Sequence, residues 1–419
     1  MDRKIQTSLI TKTLAVAITA AMASTVQAAS TEQQQIQELR KEVQALKALI
    51  QQQQQVQQQQ QVQIQQVQAQ PAPAAKSASP FSLKSKGGAE VNLYGFVRGD
   101  ANYIVEGADN DFNSVHTSTG AAKDKLRATP KTTRLGLDFS SPVGDRKVGG
   151  KIEVDFAGTN DALRIRHAYL TLDNWLLGQT TSNFLSNHAP EMIDFGTNVG
   201  GGTTRIPQVR YSHKLAPATQ LLVSAEEGNS SATGSDVTYR VPTVTAKLTQ
   251  GFAEGKGAAS ARALVEHYKA ESGDDKTGWG VAAGAHYQVA EPLKVSADVS
   301  YVQGNSNYIY GANTAFVEGA NGDIEQNEFT AFQVGATYKF APNLRSTLGY
   351  GAIFADDGTD YAALNEDANK EVYQAWLNFI YSPVKPVDLG IEYINGERET
   401  FAGNKFKDNR FGLMARYNF

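Results

Sequence analysis

From residue 91 to residue 419 the chain repeats one unit: about ten residues of alternating apolar and polar character, then a connection. Successive side chains of a strand point to opposite faces, so each unit has one apolar and one polar face. The connections also alternate in length. Seven are short (141–146, 173–174, 216–219, 251–257, 290–293, 341–344 and 382–388). Eight are longer and polar (106–124, 158–162, 181–204, 227–236, 270–276, 303–327, 356–369 and 397–405). Seven short and eight long connections join 16 strands, with both ends of the array on the short-turn side. A soluble sandwich or propeller does not require that strict alternation. An even strand number with short turns at one rim and long loops at the other predicts an all-β, 16-stranded antiparallel transmembrane barrel.

Strand parity assigns the two faces. An Arg turned to lipid near the bilayer midplane costs roughly 2–4 kcal/mol. Arg98, Asp100, Arg134, Asp138, Lys151, Glu153, Asp155, Arg164, Arg166, Arg410 and Arg416 all lie within strands, so they are expected to face inward. That leaves Leu135, Leu137, Phe139, Ile152, Val154, Phe156 and Ile165 for lipid. The same alternation carried past Ala168 puts Leu170 and Leu172 inward, an inconsistency that a bulge or the membrane rim would remove. In the last strand Phe411, Leu413, Ala415, Tyr417 and Phe419 share one face. An aromatic terminal residue after alternating apolar positions resembles the signal read by the outer-membrane assembly machinery, which gives Phe411, Leu413, Tyr417 and Phe419 that role.

The 90 residues before the repeat read differently. Residues 1–28 have the order of an export signal: Arg3, Lys4 and Lys12, then the apolar run 14–23, then small residues around Val26-Gln27-Ala28. That run is well short of the roughly 20 apolar residues a spanning helix needs. In residues 29–70, Ile36, Leu39, Val43, Leu46 and Ile50 repeat at alternating spacings of three and four, and the frame resumes at Ile64 and Val67. Heptads kept in register across a glutamine-rich gap predict a coiled-coil helix, with a disordered glutamine-rich spacer as the alternative. Residues 71–90 carry Pro71, Pro73, Pro80 and Gly87-Gly88 and read as a linker. The barrel domain is then 91–419.

Enzyme chemistry finds no footing. There are no cysteines, so no thiolate metal site or disulfide framework. The sequence has no G-x-S-x-G, H-E-x-x-H or P-loop, and its six histidines lack ligand spacing; His167 reads as a wall residue. Asp356-Asp357-Gly358-Thr359-Asp360 lacks the alternating ligands and closing Glu of a calcium loop and reads as a solvated loop. No enzyme, cofactor, metal or nucleic-acid partner is expected.

A 16-stranded barrel is too wide for its own side chains to fill. The loop 181–204 follows a very short strand and carries Phe184, Pro190, Glu191, Met192, Ile193, Asp194 and Phe195, then three glycines, Gly200–202. That apolar load suits a loop folded into the lumen as a constriction, with Pro190, Glu191, Met192, Ile193, Asp194 and Phe195 at its narrow part. An extracellular cap is the alternative. Opposite it the reading places Arg98, Arg134, Arg164, Arg166, Arg205 and Arg210. Arg164 and Arg166 stand two apart, roughly 6.5–7 Å between Cα atoms. They would each hold one carboxylate of a short dicarboxylate, unless Asp100, Asp138, Glu153 and Asp155 already pair with the arginines.

The segments L-Y-G-F-V-R-G-D-A-N-Y (93–103), T-R-L-G-L-D-F (133–139), L-R-I-R-H-A-Y (163–169), W-L-L-G-Q-T (175–180) and P-Q-V-R-Y (207–211) resemble the DcaP-like outer-membrane porins. Heptads before a Pro-rich linker fit that family too. The resemblance implies a homotrimer of 16-stranded barrels that passes small anions, dicarboxylic acids in particular, with small anionic drugs as further passengers. Residue 181, after G-Q-T, is Thr where relatives often carry an aromatic, which bears on pore width there. Outer-membrane lipid and lipopolysaccharide are the expected surroundings, with the coiled coil in the periplasm. Two rival readings stand beside this one: a sugar-selective porin with an N-terminal coiled coil, and a structural barrel whose coiled coil tethers the membrane to peptidoglycan. The first usually has 18 strands and an inward aromatic ladder, neither of which is legible here.

Overall fold

The computed structural model describes residues 82–84 and 88–419, apart from the side chains of 82–84 and of Phe195. The export-signal and coiled-coil readings, and most of the linker, lie outside the described residues. The wall runs in chain order through β1 (Glu90–Gly107), β2 (in two parts, Ala122–Thr129 and Arg134–Val143), β3 (Arg146–Asp155), β4 (Arg164–Leu172), β5 (Trp175–Thr181), β6 (Arg205–Ala216), β7 (Thr219–Glu226) and β8 (Thr243–Phe252). It continues through β9 (Gly257–Lys269), β10 (Asp275–Ala290), β11 (Leu293–Gln303), β12 (Glu328–Ala341), β13 (Leu344–Ala355), β14 (Asn369–Tyr381), β15 (Val387–Thr400) and β16 (Lys405–Asn418). Every neighbour pair is antiparallel, and β1 closes the ring against β16, from Phe96↔Asn418 to Glu106↔Asn409. The seam is finished by Gly95 and Phe419, whose N–H and C=O groups exchange hydrogen bonds of 3.1 and 3.0 Å.

Closure is what makes such a sheet tolerable in lipid, where an unpaired backbone group costs several kcal/mol. The one interruption in the β1–β2 ladder is patched by a side chain: Arg98 N–H donates to Thr133 Oγ1 at 3.1 Å. Outside, Val97, Leu135, Leu137, Ile152, Val223, Val299, Leu348, Leu377, Ile391 and Leu413 are exposed. Inside, Arg98, Asp100, Arg166, Gln208, Arg262, Asp298, Gln333, Gln374 and Arg410 are buried. Of the residues assigned to assembly, Phe411, Leu413 and Tyr417 lie on the exposed face, and Phe419 sits in the closing seam. No helix among the described residues is long and apolar enough to cross a membrane; the strands do so.

The parity conflict after Ala168 is removed by a β-bulge. Glu153 pairs with His167 and Val154 with Ile165, so Arg166 is the extra residue in β4. Beyond it the faces exchange, and Leu170 and Leu172 are exposed at 57% and 44%, outward and not inward. The 356–369 loop is also more than solvated chain. It contains a short helix, α1 (Asp360–Leu364), capped by Thr359, with Tyr361 buried.

Leu348, exposed at 61% in the middle of β13, tests the assignment of faces. Leu348→Arg is expected to lower barrel stability by about 2–4 kcal/mol, measured by denaturant unfolding in vesicles.

The arginine wall and the inward loop

Residues 182–204 leave the top of β5 and cross the lumen to the opposite half of the wall. Asn183 Nδ2 donates to Ser224 Oγ at 2.7 Å, and Lys247 Nζ donates to the Leu185 carbonyl at 2.6 Å. Ser186 Oγ donates to Asp298 Oδ2 at 2.6 Å, and His188 meets His286 Nδ1 to Nδ1 at 2.9 Å and Ser260 at 2.9 Å. Burial, and then His286, push His188 down to about 3, so His188 enters this hydrogen bond as a neutral imidazole. Further along, Arg345 grips Glu191 bidentately (2.8 and 2.7 Å), and Trp376 Nε1 and Asn378 Nδ2 donate to the Glu191 carbonyl. Ile193 N–H donates to Glu392, Val199 N–H to Gln374, and Gln333 Nε2 to the Val199 carbonyl.

Of the residues assigned to the narrow part, Met192 and Ile193 are buried, Met192 packing against Trp376 and Ile394. Asp194 accepts from Thr197 Oγ1 at 2.8 Å. Pro190 lies over Gly335, where an added Cβ would come within 2.6 Å of the proline ring. The three glycines serve close approach: a Cβ on Gly202 would meet the Tyr308 carbonyl at 2.0 Å, and Gly200 holds φ +78°. Phe184, Leu185 and Val199 join Tyr308, Ile309, Phe329 and Ile353 in an apolar core. Phe184 is thus covered within this core, while Met192 and Ile193 are buried apart from it inside a mostly polar lumen. Trp376, Tyr308 and Glu392, which anchor the loop, were not singled out in the sequence; inward parity was the only signal Trp376 and Glu392 carried, and Tyr308, in the connection after β11, carried none.

The six arginines divide. Arg98 is paired with Asp100 (Nη2–Oδ1 2.6 Å) and Arg210 donates to Gln208 and to the Thr181 carbonyl, both nearly buried. The other four meet on one stretch of wall. Arg164 holds Asp155 bidentately at 2.9 and 2.7 Å. Arg166 bridges Glu153 (2.7 Å) and Asp155 (2.9 Å), and Arg134 lies 3.4 Å from Glu153. The bulge explains why Arg166 and His167 both reach inward from consecutive positions. Arg164 and Arg166 are therefore not a free pair; Asp155 and Glu153 already neutralise part of their charge.

Arg205 differs again. Ile206 and Gln208 are buried on the inward face, so alternation puts Arg205 at the upper edge of β6 rather than beside Arg210. Its guanidinium has no ion pair or hydrogen bond among the described residues, and Arg166, Arg134 and Arg164 are its electrostatic neighbours. The β4–β5 ladder ends at Ala168↔Gln179, and above that point a cavity of about 320 Å³ opens between the wall and the root of the loop. Arg164, Arg205, Gln179, Gly196, Gly202 and Tyr310 line it. Arg164 keeps 45% of its side chain exposed.

The DcaP outer membrane protein family matches residues 17–419. The chain belongs to that family. It is 67% identical to the outer membrane channel DcaP of Acinetobacter baumannii, whose crystal structure it matches over 80% of this chain and 99% of that one, with a TM-score of 0.79. Two more distant likenesses support the barrel fold alone. OmpT of Vibrio cholerae is 14% identical with a TM-score of 0.54, over 81% of this chain and 99% of that one. The anion-selective porin from Comamonas acidovorans is 14% identical with a TM-score of 0.55, over 79% and 100%. A comparison with curated proteins gives no match. The chain is thus an outer-membrane channel of the DcaP type, a closed 16-stranded barrel with a long loop drawn into its lumen.

In this DcaP barrel the loop's anchor depends on Gly349. It sits opposite Trp376 in the β13–β14 ladder, and a Cβ there would lie 2.2 Å from the indole. Gly349→Ala is expected to displace Trp376 and loosen residues 190–195 while leaving the barrel folded. Hydrogen exchange of that segment should rise severalfold, with unchanged exchange in β1 and β16.

Proposed function

We propose that the channel carries small anions by passive diffusion, dicarboxylic acids foremost and small anionic drugs by the same route. The observation that carries this reading is the charge count on one stretch of wall: Arg134, Arg164, Arg166 and Arg205 surround only Glu153 and Asp155. Four positive and two negative groups leave an excess of two positive charges. Low-dielectric walls concentrate such a field and raise the local concentration of counter-ions. The half-exposed Arg164 and the unpaired Arg205 are the groups available to a carboxylate in passing. Residues 190–195 are the constriction in this reading, and the wall arginines the groups that bias what approaches it. Binding has to stay weak, about 4 kcal/mol or millimolar, because a solute held tightly blocks conduction.

The reversal potential of the reconstituted channel across a salt gradient tests this. Arg164→Gln and Arg205→Gln together make the cluster neutral. One unit charge at about 7 Å in water is worth roughly 0.6 kcal/mol, or about threefold per charge in the anion-to-cation permeability ratio. Cation preference in the unaltered channel, or a ratio that ignores the double substitution, would sink the proposal.

We further propose a homotrimer whose contacts lie in the barrel walls, with residues 29–70 as a periplasmic coiled coil that reinforces it. Support comes from the fold, since a solved form of OmpT of Vibrio cholerae is a trimer. Deleting residues 29–70 is expected to leave the native mass at three barrels; a monomeric mass after the deletion would assign assembly to the helix instead.

A further inference from the structure

The outer surface of β8–β11 carries two aromatic pairs at different heights. Phe252 stacks with Tyr287 at 6.0 Å near the short-turn rim, and Trp279 packs with Tyr301 at 5.3 Å towards the long loops. Tyr287 and Trp279 are eight residues apart in β10. At about 3.4 Å per residue and a tilt near 40°, that is roughly 20 Å of height, close to the apolar band of an outer-membrane barrel. Between them Val281, Val295 and Val299 are exposed. These pairs therefore mark the two membrane interfaces, and Trp279 marks the outer one.

Above Trp279 the outward face changes character. Val265 stands opposite Trp279, and His267 and Lys269 follow on the same face of β9. Lys269 stands opposite Thr238, in a two-residue strand added to the edge of β9, and Arg240 follows. Thr238, Arg240, His267, Lys269 and Asp275 line a crevice of about 80 Å³, roughly 10 Å above the Trp279 level by the same rise and tilt. Its acid, Asp275, is taken up by His267, Nε2 to Oδ2 at 3.3 Å. Arg240 and Lys269 have no ion pair among the described residues. The buried side of the same segment is fixed by Tyr239 and Tyr268, edge to face at 6.3 Å, and Tyr268 stacks on Phe316 at 5.1 Å. Two unpaired cations are thus held on a rigid support at the level where lipid headgroups sit.

We propose that this crevice binds the phosphate monoester of a phosphorylated glycolipid in the outer leaflet. Arg240 supplies a planar fork for two phosphate oxygens and Lys269 a point charge for a third. Thr238 offers a hydroxyl to the ester oxygen, and the acyl chains run down over Val265 and Trp279. The crevice lies on the lipid-facing wall, so the assignment rests on the outer-membrane location and not on what the pore conducts. A basic cluster just outside the apolar band is the sequence-readable form of anionic-lipid recognition.

Native mass spectrometry of the full chain, released from mild detergent and titrated with a bisphosphorylated glucosamine lipid, tests the site. The unaltered protein is expected to retain the lipid adduct at a concentration where Arg240→Gln with Lys269→Gln retains at most a fifth as much. The dephosphorylated lipid should bind the unaltered protein as poorly as the phosphorylated lipid binds that double variant. Arg240→Lys with Lys269→Arg should restore retention, which separates charge recognition from damage to the fold. Equal retention by the unaltered protein and the neutral variant would overturn the proposal, as would failure of the charge-conserving variant. Inorganic phosphate in tenfold excess should not displace the lipid; displacement would reassign the crevice to free phosphate and overturn the lipid assignment.

Discussion

Everything in this molecule depends on the backbone ladder between β1 and β16. In hydrocarbon no water is available to satisfy an amide, so a sheet survives only if its first and last strands find each other. Phe96↔Asn418 to Glu106↔Asn409 is that meeting, and Gly95 with Phe419 extends it to the last residue of the sequence. Once the ring is closed, alternation has only two destinations, lipid or lumen. The apolar half goes out without further conditions. The polar half goes in and must be satisfied there, and much of the interior is best understood as the means of satisfying it.

The inward loop meets that need. The wall presents Ser224, Lys247, Asp298, Gln333, Arg345, Gln374 and Glu392 to the lumen, and the loop brings a carbonyl, an amide, a hydroxyl or, for Arg345, the Glu191 carboxylate to each. Its own apolar side chains then cluster with Tyr308 and Ile309 and with residues of the wall. A loop of this composition left in solvent would expose Phe184, Leu185, Met192 and Ile193 at once. The wall and the loop therefore complete each other, one supplying unsatisfied polar groups and the other supplying apolar groups that need cover.

Much of this was legible in the sequence, and the exceptions have physical causes. Strand number and the two rims followed from connection lengths, because a closed antiparallel ring leaves little freedom there. The lipid face followed from the cost of turning Arg98 or Glu153 outward. The bulge at Arg166 was not legible beyond the conflict at Leu170, because spacing alone does not say which residue is left out of the ladder; in the fold it is Arg166, with Glu153 opposite His167. The pairing of Arg164 and Arg166 with Asp155 and Glu153 could be posed but not decided from spacing alone. Grouping Arg205 with Arg210 overlooked the length of strand between them: Arg205 is the first residue of β6, at its upper edge, and meets Arg164 and Arg166 rather than Arg210. The loop's turn inward was readable from its grease; its contacts with Trp376, Arg345 and Glu392, far along the chain, were not.

The loop has one more consequence, a mechanical one. Its bonds begin next to β5 and reach side chains on β7, β8, β9, β11, β12, β13, β14 and β15. A thin hoop under lateral pressure from a bilayer deforms most easily by flattening into an ellipse. A strut fixed to one side and to many points on the other resists that mode. The segment proposed to narrow the channel is thus also a brace for its cross-section, so under that proposal bore and stiffness are coupled: a change that frees the strut softens the ring as it opens the passage.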